Sequence, residues 1–157
     1  MTEHASTNIQ LLGEAERAWL GIVRLSCMSY EHNRADFLDR AMHQAETLYG
    51  PDTGPEIMSR ILALIRAMRL ERRGGFGYLS PFCETCRRKV TADEWELIAL
   101  MRIGCDSSGS DVDAAAAEFA RRTHAPVLAG AAARFGCAFA TTRIASRTSP
   151  ATRAVLH

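Results

Sequence analysis

Apolar residues recur at helical spacing along most of this chain, and no run of strand length alternates apolar with polar positions. Ile9, Leu12, Trp19, Ile22 and Val23 predict a first helix over 7–30, with Thr7 and Gln10 at capping-box spacing. Leu38, Ala41, Ala45 and Leu48 predict a second over 33–49, flanked by Phe37 and Tyr49 and stopped by Gly50-Pro51. Thr53 and Glu56 signal the start of a third, with Pro55 tolerated in its first turn. Ile57, Ile61, Leu64, Ile65 and Met68 then give it the clearest apolar stripe in the protein. Arg69, Arg72 and Arg73 suit its C-terminal end, which Gly74-Gly75 closes.

Beyond an irregular stretch, Thr91 and Glu94 cap a fourth helix running to about Ile103, with Trp95, Ile98 and Met101, or Leu97 and Leu100, on its buried side. Residues 104–109 read as a loop. Ser110 and Asp113 open a fifth helix through Arg122. Pro126 starts a sixth, alanine-rich segment to Ala140, weakened by Gly130 and Gly136 but able to approach a neighbour closely. The expected fold is therefore mainly α: a bundle-like domain of five or six helices over residues 1–140, with a tail over 141–157. Its halves, 7–73 and 91–140, are joined by a knuckle insert at 76–90, where 76–79 and 89–90 are expected to form a short hairpin.

Composition narrows the function classes. The 157 residues carry 47% hydrophobic and 24% charged positions, ordinary globular values, and a net charge of +1 that gives no bulk attraction for nucleic acid or membrane. Of the 19 basic residues only Lys89 is lysine, a bias better ascribed to coding composition than to anion recognition. No apolar run approaches the ~20 residues of a membrane span. The start, Met1-Thr2-Glu3-His4, lacks the pattern of a secretory signal. Five unevenly spaced cysteines fit a reducing cytoplasm better than a disulfide framework.

Two of those cysteines carry the chemistry. Cys83-x-x-Cys86 brings two sulfurs within reach of one tetrahedral ion, and zinc prefers sulfur and imidazole ligands. Arg87, Arg88 and Lys89 follow directly and favour the thiolate, the ligand form. These residues resemble half of a zinc ribbon over about eight positions, without the glycine common after the second cysteine, and no family follows from so short a match. A structural zinc needs two more ligands. Cys105 is the expected third and His124 the expected fourth, with Cys27 and Cys137 as alternatives. A redox-active dithiol is a competing reading, although the strand–helix context of a thioredoxin-like motif is missing. Unligated cysteines are the plain one. An iron–sulfur cluster on Cys27, Cys83, Cys86 and Cys105 would lack the usual dense spacing.

Other constellations are weaker. His32, Asp36, Asp39 and His43 fall on one face of the predicted second helix, opposite its apolar stripe, and read as a solvated face rather than a metal or acid–base site. Helices four and five resemble a helix-turn-helix in outline, but Asp111, Asp113 and Glu118 would face phosphates. No nucleophile–base pair is legible from spacing, so nothing in the chain specifies an enzyme. The expectation is a small cytoplasmic, zinc-binding helical protein with a regulatory or partner-binding role, presenting Arg87, Arg88 and Lys89 to a protein or anionic partner. A metalloenzyme or thiol-redox protein, or a cofactor-binding bundle, is the alternative.

Overall fold

Local capping chemistry sets the starts of two helices in this chain, at Glu14 and Ala92, and those starting at Ala35, Gly54 and Ser110 begin without a local side-chain cap. The computed structural model describes residues 7–148 except 108, and side chains only to residue 140. Thr7 does not begin a helix. Thr7–Asn8 form a two-residue strand, β1, and Asn8 caps a single 3-10 turn over Ile9–Leu11 through Oδ1, which accepts the Gln10 N–H. Helix α1 spans Glu14–His32, its start fixed by Glu16, whose carboxylate accepts the Gly13 N–H at 2.8 Å. Asn33 closes α1 in the left-handed region, at φ 52°, a conformation asparagine tolerates. Helix α2 follows over Ala35–Tyr49 and α3 over Gly54–Glu71. Thr53 precedes α3 without a side-chain cap bond, so the expected box with Glu56 does not form.

The second half begins as expected. Thr91 Oγ1 accepts the Glu94 N–H, and Glu94 accepts the Thr91 N–H, at the start of α4, Ala92–Asp106. Gly104 and Cys105 continue this helix rather than opening a loop. Helix α5 covers Ser110–Ala120 and α6 covers Pro126–Thr148. Thus α6 runs on past Thr141, where a tail was expected; residues 149–157 lie outside the described part. Glu71, at the end of α3, caps α6 from a distance: its carboxylate accepts the N–H groups of Val127 and Leu128 at 3.2 and 2.8 Å. A carboxylate at this N-terminus also opposes the positive end of the helix dipole.

The architecture is mainly α, with six helices among the described residues and the CxxC insert between α3 and α4. The first three helices pack on one another, as do α4, α5 and α6, and the two sets meet where α6 lies against α3 and α1 against α4. Trp19 anchors this junction with its ring edge-on to Phe135 and Phe139, at centroid distances of 5.0 and 4.9 Å. Ile57, Ile61, Leu64 and Ile65 are fully buried, as their spacing predicts. The α2 stripe is rotated from the predicted one, with Phe37, Ala41 and Ala45 buried and Leu48 half exposed. Small residues set the α4–α6 distance. A side-chain carbon on Gly136 would collide with the Gly104 carbonyl, and one on Gly104 with the Ala132 carbonyl. Among the described residues no helix is long and apolar enough to cross a membrane.

Candidate functional site

The insert between α3 and α4 is held by charges from both helices. Arg72, almost fully buried, donates to the Phe119 carbonyl at 2.8 Å and to Asp93 at 2.6 Å. Asp93 also accepts the Gly77 N–H at 2.6 Å. Its neighbour Glu94, with no exposed surface, accepts the Leu79 N–H at 3.0 Å. Thr91 Oγ1 donates to the Gly77 carbonyl at 2.7 Å. The first turn of α4 therefore straps residues 77–79 in place. Lys89–Val90 form the second strand, β2, which pairs antiparallel with β1 in the register Thr7–Val90 and Asn8–Lys89. The expected hairpin with 76–79 does not form, because the carboxylates of Asp93 and Glu94 and Thr91 Oγ1 already hold that segment's backbone.

A buried ion pair fixes β2 from beneath. Arg24 of α1 donates to both carboxylate oxygens of Glu94, at 2.7 and 2.9 Å, and to the Lys89 carbonyl at 2.5 Å. Both partners are nearly or fully enclosed, so their mutual satisfaction is what makes their burial tolerable.

Between strap and strand lies the cysteine turn. Cys83 and Cys86 stand at disulfide distance, with Cα atoms 5.1 Å apart. The Cys83 carbonyl accepts the Arg87 N–H at 2.9 Å, and Cys83 Sγ accepts the Cys86 N–H at 3.2 Å. Phe82 leans on Phe37 of α2, at 5.8 Å between ring centroids, with the Arg40 guanidinium 5.4 Å from its own ring. Cys86–Arg88 then form a 3-10 turn leading into β2.

This turn forms one wall of an open cleft of about 750 Å³, lined by Thr7, Asn8, Gln10, Thr85, Arg88 and Lys89. Arg88 and Lys89 are exposed, and among the described residues neither cation has a carboxylate partner. Arg87 instead faces Glu84 at 3.6 Å, an exposed pair of small energetic weight. The basic triplet thus divides: two of its cations line a cleft and one is paired. Thr7, Asn8, Gln10 and Thr85 were missed from sequence, since only the β1–β2 pairing carries the N-terminal three to this wall.

The other expected ligands are not gathered around the cysteine turn. Among the described residues no three His, Cys, Asp or Glu side chains form a group able to hold a metal ion. Cys105 is half-buried near the end of α4, and Cys137 is exposed on α6. His124 lies in the connection between α5 and α6, in a separate hollow of about 480 Å³ with Asp113 and Thr123. Cys27 is buried on α1, and desolvation pushes its thiol up to about 12, with Glu94 adding to the rise, so it remains neutral at ordinary pH. The His32, Asp36, Asp39 and His43 face is broken, because His32 ends α1 and the other three belong to α2 beyond the left-handed Asn33. Asp36 is paired with Arg34.

A second hollow, about 290 Å³, lies between α1, α3 and the strap, beside Cys27, Tyr30, Glu31, Met68, Arg69 and Tyr78. Tyr78 donates its hydroxyl to Glu31; burial, with Glu31 beside it, raises the Tyr78 pKa. Arg69 covers the Tyr30 ring at 4.4 Å, so the charged groups here already have partners. The cleft beside the cysteine turn is the better site. Compared with family models, curated proteins and solved structures, the chain matches none, and its functional reading rests on these residues alone.

Proposed function

We propose that this chain is a small helical protein that binds a phosphate-bearing partner in the cleft beside the cysteine turn. The observation that carries this is the placing of two exposed cations, Arg88 and Lys89, which among the described residues have no carboxylate partner, beside a wall of hydroxyl and amide groups from Thr7, Gln10 and Thr85. A guanidinium fork, an ammonium and neutral donors are the groups that recognise phosphate oxygens. Arg24 and the β1–β2 pairing hold this wall in place before any ligand arrives, which lowers the ordering cost of binding.

A labelled single-stranded oligonucleotide, used as a polyphosphate probe and titrated at several salt concentrations, tests the reading. Arg88→Ala and Lys89→Ala should each weaken binding about tenfold and flatten the salt slope by about one. Arg87→Ala should weaken it less, since that guanidinium already faces Glu84. Equal affinity for parent, Arg88→Ala and Lys89→Ala would remove the cleft from consideration. An acidic peptide binding in the oligonucleotide's place would move the reading to a protein partner.

Zinc on Cys83 and Cys86 is a second reading of the same turn. What favours it is the 5.1 Å separation of the two Cα atoms, which puts both sulfurs within reach of one tetrahedral ion once they are reduced. In that reading the metal takes its remaining ligands from outside the turn and holds Arg88 and Lys89 at the cleft. Elemental analysis of protein purified under reducing conditions should then find zinc, lost in Cys83→Ser and in Cys86→Ser. A zinc-free, folded parent excludes it.

A further inference from the structure

Cys83 and Cys86 are half-buried, at the solvent side of a turn whose two ends are tied down independently. On one side Asp93 and Glu94 hold Gly77 and Leu79; on the other, Arg24 and β1 hold Lys89 and Val90. A Cα separation of 5.1 Å lies within the range a disulfide spans without moving the backbone. Opening or closing the bond therefore changes residues 82–88 and leaves their anchors in place. The setting also favours exchange. Cys83 Sγ receives the Cys86 N–H, and three basic residues follow Cys86, both of which stabilise a thiolate at the attacking sulfur. Arg88 is bound into the same turn, its N–H donated to the Thr85 carbonyl, and Thr85 and Arg88 both line the cleft.

We propose that Cys83 and Cys86 are a reversible thiol–disulfide pair, exchanging with a low-molecular-weight disulfide, whose closed form fixes the basic turn. The cleft function assigned to that turn rests on the phosphate-binding reading above; the exchange itself does not. In the first step the Cys83 thiolate attacks one sulfur of the small disulfide, breaking its S–S bond and releasing one small thiolate. The protein then carries a mixed disulfide on Cys83. Cys86 gives its proton to solvent and attacks Cys83 Sγ, releasing the second small thiolate. Two protein thiols are oxidised, one small disulfide is reduced to two thiols, and the reverse sequence reopens the turn.

The test uses the full chain, equilibrated in buffers of stepped oxidised-to-reduced glutathione ratio, quenched by alkylation and read by peptide mass spectrometry. The alkylated fractions of Cys83 and Cys86 should fall and rise together from sample to sample as the ratio changes. If both stay alkylated at every ratio, or both stay blocked in excess dithiothreitol, the exchange is refuted. Limited trypsin digestion reads the turn without any ligand. Cleavage after Arg87 and Arg88 should be slower by about fivefold or more in the oxidised chain, and Cys86→Ser should cleave at the reduced rate in both buffers. Equal cleavage of oxidised and reduced parent would refute the coupling. Oligonucleotide affinity measured on the same samples separates the two ideas. Cleavage that follows redox state while affinity stays flat leaves the switch standing and uncouples it from the cleft, whose own test is the Arg88→Ala and Lys89→Ala pair.

Discussion

Glu94 concentrates more of this molecule in one side chain than any other residue described. Fully buried, it accepts both N–H groups of the Arg24 fork and the backbone N–H groups of Leu79 and Thr91. Removing one member leaves the others as unpaired charge or orphan donors in a low-dielectric interior. Glu94→Gln should therefore cost about 3–5 kcal/mol in urea unfolding, Arg24→Met should cost a similar amount, and the double variant should cost much less than their sum. Additive costs would mean that the two side chains are not acting as a pair. The spacing of Thr91 and Glu94 predicts a capping box, and that box forms. Nothing in the spacing reveals that the same carboxylate serves Arg24, 70 residues away. Local periodicity reads one partner of a side chain, while burial recruits the rest.

At the scale of elements, the glycines of α6 read two ways. Glycine lowers helix propensity, so Gly130 and Gly136 look like weak points in sequence. In the fold, Gly136 is where α6 passes over the Gly104 carbonyl of α4, with no room for a side-chain carbon. Gly136→Ala should raise the intrinsic helix propensity of α6 and still destabilise the protein, by about 1–3 kcal/mol, through forced separation of α4 and α6. Gly130, which would meet only the end of the flexible Arg134 side chain, provides the contrast: Gly130→Ala should be neutral or stabilising. Thermal or urea unfolding of both variants checks the pair, and equal effects would contradict the close-crossing account. The short strands carry the same lesson. Two-residue segments have no readable alternation, so Thr7–Asn8 passed for the start of a helix, and Lys89–Val90 for half of a hairpin with the wrong partner.

For the whole molecule, the two helical halves are joined by side chains rather than by the cysteine turn. Arg24–Glu94, Arg72–Asp93, Glu71 at the α6 terminus and the Trp19–Phe135 contact all cross between them. The cysteine turn hangs between two segments held from this junction, Gly77 to Leu79 by α4 and Lys89 to Val90 by Arg24 and β1. The helical class, the rough extent of α2 to α5, the start of α4 and the nearness of Cys83 to Cys86 are all legible in local sequence. Each of these depends on residues within a few positions of one another, where period, cap and spacing act directly. Packing is what brings Thr7 and Gln10 to one cleft with Arg88 and Lys89, turns Arg87 to Glu84, and leaves Cys105 and His124 outside any group of three ligating side chains among the described residues. Those outcomes depend on which distant surfaces the packed helices bring together, and side-chain spacing along a chain carries no record of that.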